Sequence, residues 1–242
     1  SYHVGWNPAV AAVGGFISFH MLVNLRMGFA VVAAHGVAVA VVRIIAAPLW
    51  GRAVDRLGAR PVLVLCSFGV AAVPAIWMFP TPEQLWPIAL EAVLAGVLWG
   101  GHGIAAVDLP VALAPRSGRP FYLAAFATAG GLGFAAASIL AGLLVSLMPA
   151  QFMLLGFSWT GIHILLLVSA LARAAAALLA VRIQERDARG VPELLLTLAN
   201  DLPKTVSVAH LRLPKPWAVF QTTISNAAAR GRRRPPRSVP AP

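Results

Sequence analysis

The sequence predicts an all-α membrane protein, a bundle of six transmembrane helices, and three observations predict it. Six apolar stretches between residues 7 and 181 are each long enough to cross a bilayer. Apolar residues make up 59% of the 242-residue chain and charged residues only 11%, with a mean hydropathy of +0.80. The runs are hydrophobic all round, and a helix of that kind must face lipid or the interior of a much larger core.

The first span covers about residues 7–25 and the second about 28–50, joined as a helical hairpin by a short turn at Arg26. The third, 61–79, ends at Pro80-Thr-Pro82-Glu83, where two prolines remove backbone donors. The fourth covers 86–107, and Pro110, Pro115 and Pro120 punctuate the polar loop after it. The fifth covers 121–147. The sixth, 152–181, follows Pro149-Ala-Gln151 and exceeds the roughly 20 residues a span needs, so tilt or an extended cytoplasmic end is expected. Residues 1–190 therefore form the membrane domain and 191–242 a tail. Within the tail, Pro192-Glu-Leu-Leu-Leu-Thr-Leu-Ala199 reads as a short amphipathic helix on the inner membrane surface. Arg230-Gly-Arg-Arg-Arg234-Pro-Pro-Arg237 reads as a disordered basic end, drawn to anionic lipid by about 1 kcal/mol per base.

The net charge of +11 does not indicate nucleic acid. Residues 1–181 hold eight Arg and four acids, whereas 182–242 hold eleven Lys or Arg and four acids, and nothing aromatic interleaves the tail arginines. The single cysteine, Cys66, lies in an apolar run and is expected to be a small lipid-facing or core residue. No cationic segment precedes the first span as in a signal peptide, and the chain is expected to begin mid-protein.

Arginines fix the orientation, because short cationic loops stay cytoplasmic. Arg52, Arg56 and Arg60 lie between the second and third spans, Arg116 and Arg119 between the fourth and fifth, and Arg182, Arg186 and Arg189 after the sixth. The three opposite loops offer only Arg26. The carboxyl terminus is expected in the cytoplasm, with Trp6, Trp50, Trp77 and Trp86 as interfacial anchors in a plasma membrane.

Between the second and third spans stands Gly51-Arg-Ala-Val-Asp55-Arg56-Leu-Gly58-Ala-Arg60, which resembles the loop signature of the major facilitator superfamily of secondary transporters. It departs from that pattern at Ala53, where a bulky apolar residue is usual, and at Ala59, where a base is usual. The signature joins the second and third helices of each six-helix half in that family, which is its place here. The Pro115-Arg-Ser-Gly-Arg-Pro-Phe-Tyr122 loop and the basic tail resemble the carboxyl-terminal half. The resemblance implies half of a major facilitator fold, one wall of a pathway at the bilayer midplane. It also implies a partner: an amino-terminal six-helix half or a second copy. The expected function is transport of a small solute by alternating access, without a cofactor. A membrane scaffold or assembly factor, or a homodimeric half-transporter, are the alternatives.

In the signature, Gly51 and Gly58 allow a tight turn, while Asp55 is expected to accept hydrogen bonds from helix-start amides and from neighbouring Arg56 and Arg60. The alternative is a set of ordinary positive-inside arginines with one solvated acid. Within the spans, Arg43, Glu91, His102 and Asp108 are candidates for a substrate or proton pathway, because charge in hydrocarbon is costly and usually functional. Glu91 and His102 are about three turns apart and share a helix face. Snorkelling is the expected fate of Arg173 and the favoured one for Glu91 and Asp108; for Arg43 it is as good as substrate contact. His20, His35 and His163 are expected to be neutral and hydrogen-bonded between helices.

Glycine and alanine concentrate in the fourth to sixth spans, from Gly96 to Gly142, where they allow close helix packing. Gly131-Leu-Gly133-Phe-Ala-Ala136 follows no strand and is no dinucleotide site. No metal-ligand cluster, carboxylate pair or activated nucleophile is visible, so an enzyme is not expected.

Overall fold

A computed structural model of the chain describes residues 2–115, 117–148, 152–154, 157–183, 185 and 188–206. Arg116, Arg186, the Pro149–Gln151 turn and the basic end around Arg230–Arg237 lie outside the described residues. Six helices are long and apolar enough to cross a membrane. The first span is composite: α1 (Tyr2–Gly14), α2 (Phe16–Phe19) and a π-helical turn (His20–Asn24). The others are α3 (Phe29–Leu57), α4 (Ala59–Ile76), α5 (Trp86–Leu113), α6 (Arg119–Ser146) and α7 (Gly161–Val181). An eighth helix, α8 (Val191–Val206), extends the amphipathic segment expected at 192–199.

The helices pack as a row, α3 on α5, α5 on α4, α4 on α7, α7 on α1 and α1 on α6. That order leaves α3 and α6 at its ends, with one principal neighbour each. Only 6% of the most apolar stretch of α3 and 11% of that of α6 is buried, against 61% for α4. One core cluster gathers around Trp6, Trp50, Leu63 and Ala105, and a second around Met21, Trp77, Ile88 and Leu166.

Several boundaries differ from the sequence reading. The first span starts at Tyr2, five residues early. Helix α3 does not stop near residue 50 but runs through Gly51, Asp55 and Arg56 to Leu57, because only Gly58, at φ 90°, leaves helical space. Pro48 lies inside it, a tolerated position where neighbouring helices support the backbone. Helix α5 continues past Pro110 to Leu113, which makes Asp108 helical. The sixth span is not extended: Phe152–Leu154 and Phe157–Trp159 pair as antiparallel strands, with Phe152 opposite Trp159, and α7 begins only at Gly161. Apolar aromatic residues in those strands look like membrane span in composition alone. Of the four expected tryptophan anchors, Trp6, Trp50 and Trp77 are instead buried and only Trp86 is exposed. Trp50 packs inward because its indole N–H donates to the Val97 carbonyl at 2.8 Å.

Close approach of α5 to its neighbours rests on small residues. A Cβ at Gly96 would stand 2.7 Å from Val42 Cβ on α3, and one at Gly101 would stand 2.5 Å from Cys66 Sγ and 2.7 Å from the Trp50 ring. Cys66 is accordingly a core residue. Gly101→Val forces apart two helices at once, and overpacking of this kind costs about 1–3 kcal/mol. The expected outcome is a lower apparent unfolding midpoint in detergent, while Gly131→Ala, with nothing within 4 Å of the added carbon, leaves the midpoint unchanged.

Candidate functional site

The signature segment forms a clasp at one end of the bundle. The turn reverses in a single residue, Gly58, between α3 and α4. The first amides of α4 have no partner within their own helix, and that end carries partial positive charge. A carboxylate answers them, but it is not Asp55. Glu185, from the segment after α7, accepts from Ala59 N at 3.2 Å and from Arg60 N at 2.7 Å. Asp55 is exposed on the outer side of α3, so its expected capping role is corrected. Gly51 likewise stands apart, with nothing within 4 Å of where a Cβ would stand.

Three signature residues do converge. Arg56 Nη1 donates to Asp201 Oδ2 of α8 at 2.8 Å, and Arg60 Nη2 donates to the Val181 carbonyl at the end of α7 at 2.9 Å. Arg189 N donates to the Leu57 carbonyl at 2.9 Å, and a Cβ on Gly58 would meet Ala188 and Glu185 at 3.1 Å. Glu185, Ala188 and Arg189 therefore lie directly across the turn. Arg56 is more than half exposed, so its ion pair is weak, in the range of about 0–1 kcal/mol, and the Glu185 cap holds more of the clasp. Neither Glu185 nor Asp201 carries any local signal in the sequence, because their partners are more than 100 residues away.

Inside the bundle, Glu91 is buried and paired, which overturns snorkelling. Its Oε2 lies 2.7 Å from His35 Nε2 on α3, with both side chains largely shielded. His102, on the same face of α5, joins a separate network. Its Nε2 lies 2.9 Å from Tyr2 Oη, which lies 2.7 Å from Ser67 Oγ, and its ring stacks on Trp6 with centroids 4.6 Å apart. Trp99 separates the two networks. Arg173 does not snorkel either: it is 4% exposed, its guanidinium sits 5.9 Å from the Trp99 ring centroid, and Nη1 reaches the Val70 carbonyl only at 3.4 Å. Its Nε is buried with no hydrogen-bond partner. His35, Glu91, Trp99 and Arg173 line one internal cavity of about 150 Å³. The sequence singled out Glu91 but passed over His35 and Arg173, whose importance comes only from what faces them.

Arg43 and Asp108 belong elsewhere. Both are exposed and line an open groove of about 520 Å³ between α3 and α5, where the Arg43 guanidinium covers Gly103. The groove and the buried networks are distinct, so the four interior candidates do not form one continuous path. Among the described residues no group of three or more His, Cys, Asp or Glu stands ready to hold a metal.

The chain matches the Major Facilitator Superfamily over residues 9–229. It is 34% identical over 124 residues to human "Major facilitator superfamily domain-containing protein 10", a stretch that makes up 50% of this chain and 26% of that protein. It is 30% identical over 103 residues to the "Tetracycline resistance protein, class E" of Escherichia coli, 43% of this chain and 25% of that protein. The matched stretches span about a quarter of the length of each of these relatives. No solved structure matches.

The cap assignment gives a direct contrast. Glu185→Ala removes the acceptor for two α4 amides, a loss of about 0.5–2 kcal/mol. Hydrogen exchange of the 57–62 backbone is expected to accelerate about tenfold, as a 1.4 kcal/mol change implies. Asp55→Asn is expected to leave it unchanged; the reverse pattern would return the cap to Asp55.

Proposed function

The chain belongs to the major facilitator superfamily, whose activity is membrane transport, and on that premise we propose that it supplies the carboxyl-terminal half of a secondary transporter that moves a small solute by alternating access. The observation that carries this reading is the bareness of α3 and α6. Both stand at the ends of the helix row, and they expose Val37, Val41 and Ile44 on one and Leu132, Ile139 and Leu143 on the other. Two apolar, poorly buried helices in a six-helix unit suit a second unit packed against it, with a pathway between them. An amino-terminal six-helix half is the proposed partner, in a plasma membrane with the Gly58 clasp and the tail on the cytoplasmic side.

In this reading the clasp at Arg56, Gly58 and Arg60 holds one gate state. Arg43 and Asp108, in the open groove beside α3, are positioned to meet solute or the opposing half. Glu91 is the coupling carboxylate. Its hydrogen bond to His35 joins a bare helix to a buried one, so adding or removing its proton changes how firmly α3 is held on α5. Arg173, lining the same cavity and lacking an acidic partner, offers the ionised carboxylate an alternative counter-charge. His102 supports α1 and α4 through Tyr2 and Ser67 and is not on that route. Tetracycline, named for one relative, is a first solute to try.

The test uses proteoliposomes holding the chain together with its amino-terminal half and a pH-sensitive dye inside. Solute addition is expected to drive proton movement, and Glu91→Gln is expected to abolish that movement, at least tenfold, while solute binding persists. Coupling that survives Glu91→Gln sinks the carboxylate assignment. In a Cys66→Ala background, a disulfide formed between copies through Val41→Cys would replace the amino-terminal half by a second copy of this chain.

A further inference from the structure

A cavity of about 820 Å³ opens at the end of the bundle opposite the Gly58 clasp. Its walls come from the π-helical turn of the first span, the segment after α4 and the start of α7. Val23, Met78, Phe79 and Trp159 give it an apolar body of a size that suits a small organic molecule. Its ionisable lining residues are all bases: His20, Arg26 and His163.

The hydrogen bonds around the two imidazoles decide what they offer. Asn24 Nδ2 lies 3.0 Å from His20 Nδ1, a contact made by the π-helical turn, and an amide nitrogen can only donate. The backbone N–H of Thr160 donates to His163 Nδ1 at 3.1 Å, as half of the capping box that starts α7. Each ring therefore uses its Nδ1 lone pair as an acceptor, and its proton sits on Nε2. His20 Nε2 is buried without a hydrogen-bond partner, on a residue only 2% exposed, and the two rings stand 5.8 Å apart. Two imidazoles that carry their protons on Nε2 thus line one cavity. Because neither Nε2 retains a lone pair, the pair does not suit a metal cation.

Arg26 adds the charge. It is the sole base in the three loops at this end of the bundle, and it is held with φ at 53°, a left-handed conformation uncommon for residues with a side chain. Among the described residues, no Asp or Glu lines the cavity to neutralise it. We propose that this cavity binds an organic anion, a carboxylate or phosphate head on an apolar body, with the Nε2–H groups of His20 and His163 and the Arg26 guanidinium as its donors. The site lies within this six-helix unit and stands whether or not the proposed transport cycle does.

The full chain in phosphatidylcholine nanodiscs is titrated with benzoate and with octyl phosphate at constant ionic strength, and tryptophan emission is followed, since Trp159 lies 5.9 Å from His163. A saturable change is expected with either anion and none with neutral benzamide. Arg26→Gln, at an exposed position that leaves folding intact, is expected to raise the apparent Kd at least tenfold, with Arg26→Lys recovering part of the loss. His20→Gln is expected to weaken binding as well. In discs containing phosphatidylglycerol, competition identifies a lipid headgroup as an occupant and an unchanged Kd identifies a soluble anion; both keep the site. An equal response to benzamide, a response indifferent to both Arg26→Gln and His20→Gln, or no saturable response to either anion overturns it.

Discussion

In the hydrocarbon layer a polar side chain has no water to turn to, so each one must be answered by another group of the protein. Apolar contacts between helices gain little there, because lipid tails are as apolar as leucine. The answered polar pairs therefore specify which helices meet. Glu91 with His35 ties α5 to α3, His102 with Tyr2 and Ser67 ties α5 to α1 and α4, and Ser169 Oγ donating to the Ala9 carbonyl at 2.6 Å ties α7 to α1. The first and last of these links join neighbours in the helix row, whereas Tyr2 reaches across it from α1 to α4 and α5. Arg173 departs from this pattern, held by an aromatic face and a long carbonyl contact rather than by an acid, and this imbalance gives the small cavity beside Glu91 its chemical interest.

The polar links need short distances, and the small residues supply them. Helix α5 passes between α3 and α4 with Gly96 against Val42 and Gly101 against Trp50 and Cys66. With bulkier residues there, the helices would separate and Trp50 could no longer reach the Val97 carbonyl. The same logic operates between α1 and α6, where a Cβ on Gly133 would stand 3.2 Å from Pro8 Cγ. Packing and hydrogen bonding are thus a single requirement: the glycines set the spacing at which the polar partners can find one another.

This division explains what could be read from the residues alone. The six spans were legible because hydrophobicity along a run needs no knowledge of its neighbours, and so was the helix face that Glu91 and His102 share, though not that it points inward. The glycine-rich face of α5 was legible for the same reason. What escaped depended on partners remote in the chain. Glu185 and Asp201 follow the last span with no motif around them, yet they hold Ala59, Arg60 and Arg56. His35 looked like one more lone histidine until Glu91 stood beside it. The signature read as a loop because Asp and Arg are polar, whereas the backbone bends only where Gly58 permits a positive φ. Tryptophans near span ends resembled interfacial anchors because depth along a helix was visible and the direction of the side chain was not.

The geometry of α3 links the clasp to the buried pair. It is one helix from Phe29 to Leu57, with His35 near its start and Arg56 in its last turn, about 32 Å apart at 1.5 Å per residue. Between those points it rests mainly on the small-residue face of α5, tied to it there by the hydrogen bond from the Trp50 indole to the Val97 carbonyl. Its charged partners lie toward the two ends, Glu91 at one and Asp201 at the other, where Arg189 N also donates to the Leu57 carbonyl. Under the proposed transport cycle a helix held in this way is a lever, through which a change of partner at Glu91 would reach the Gly58 turn and a change at the turn would reach His35. Coupling between the proposed proton site and the proposed gate would then require no relay of intervening side chains. It requires only that α3 remain a continuous helix across Pro48, where Arg52 Nε donates back to the Pro48 carbonyl at 2.9 Å and braces the turn that follows the proline.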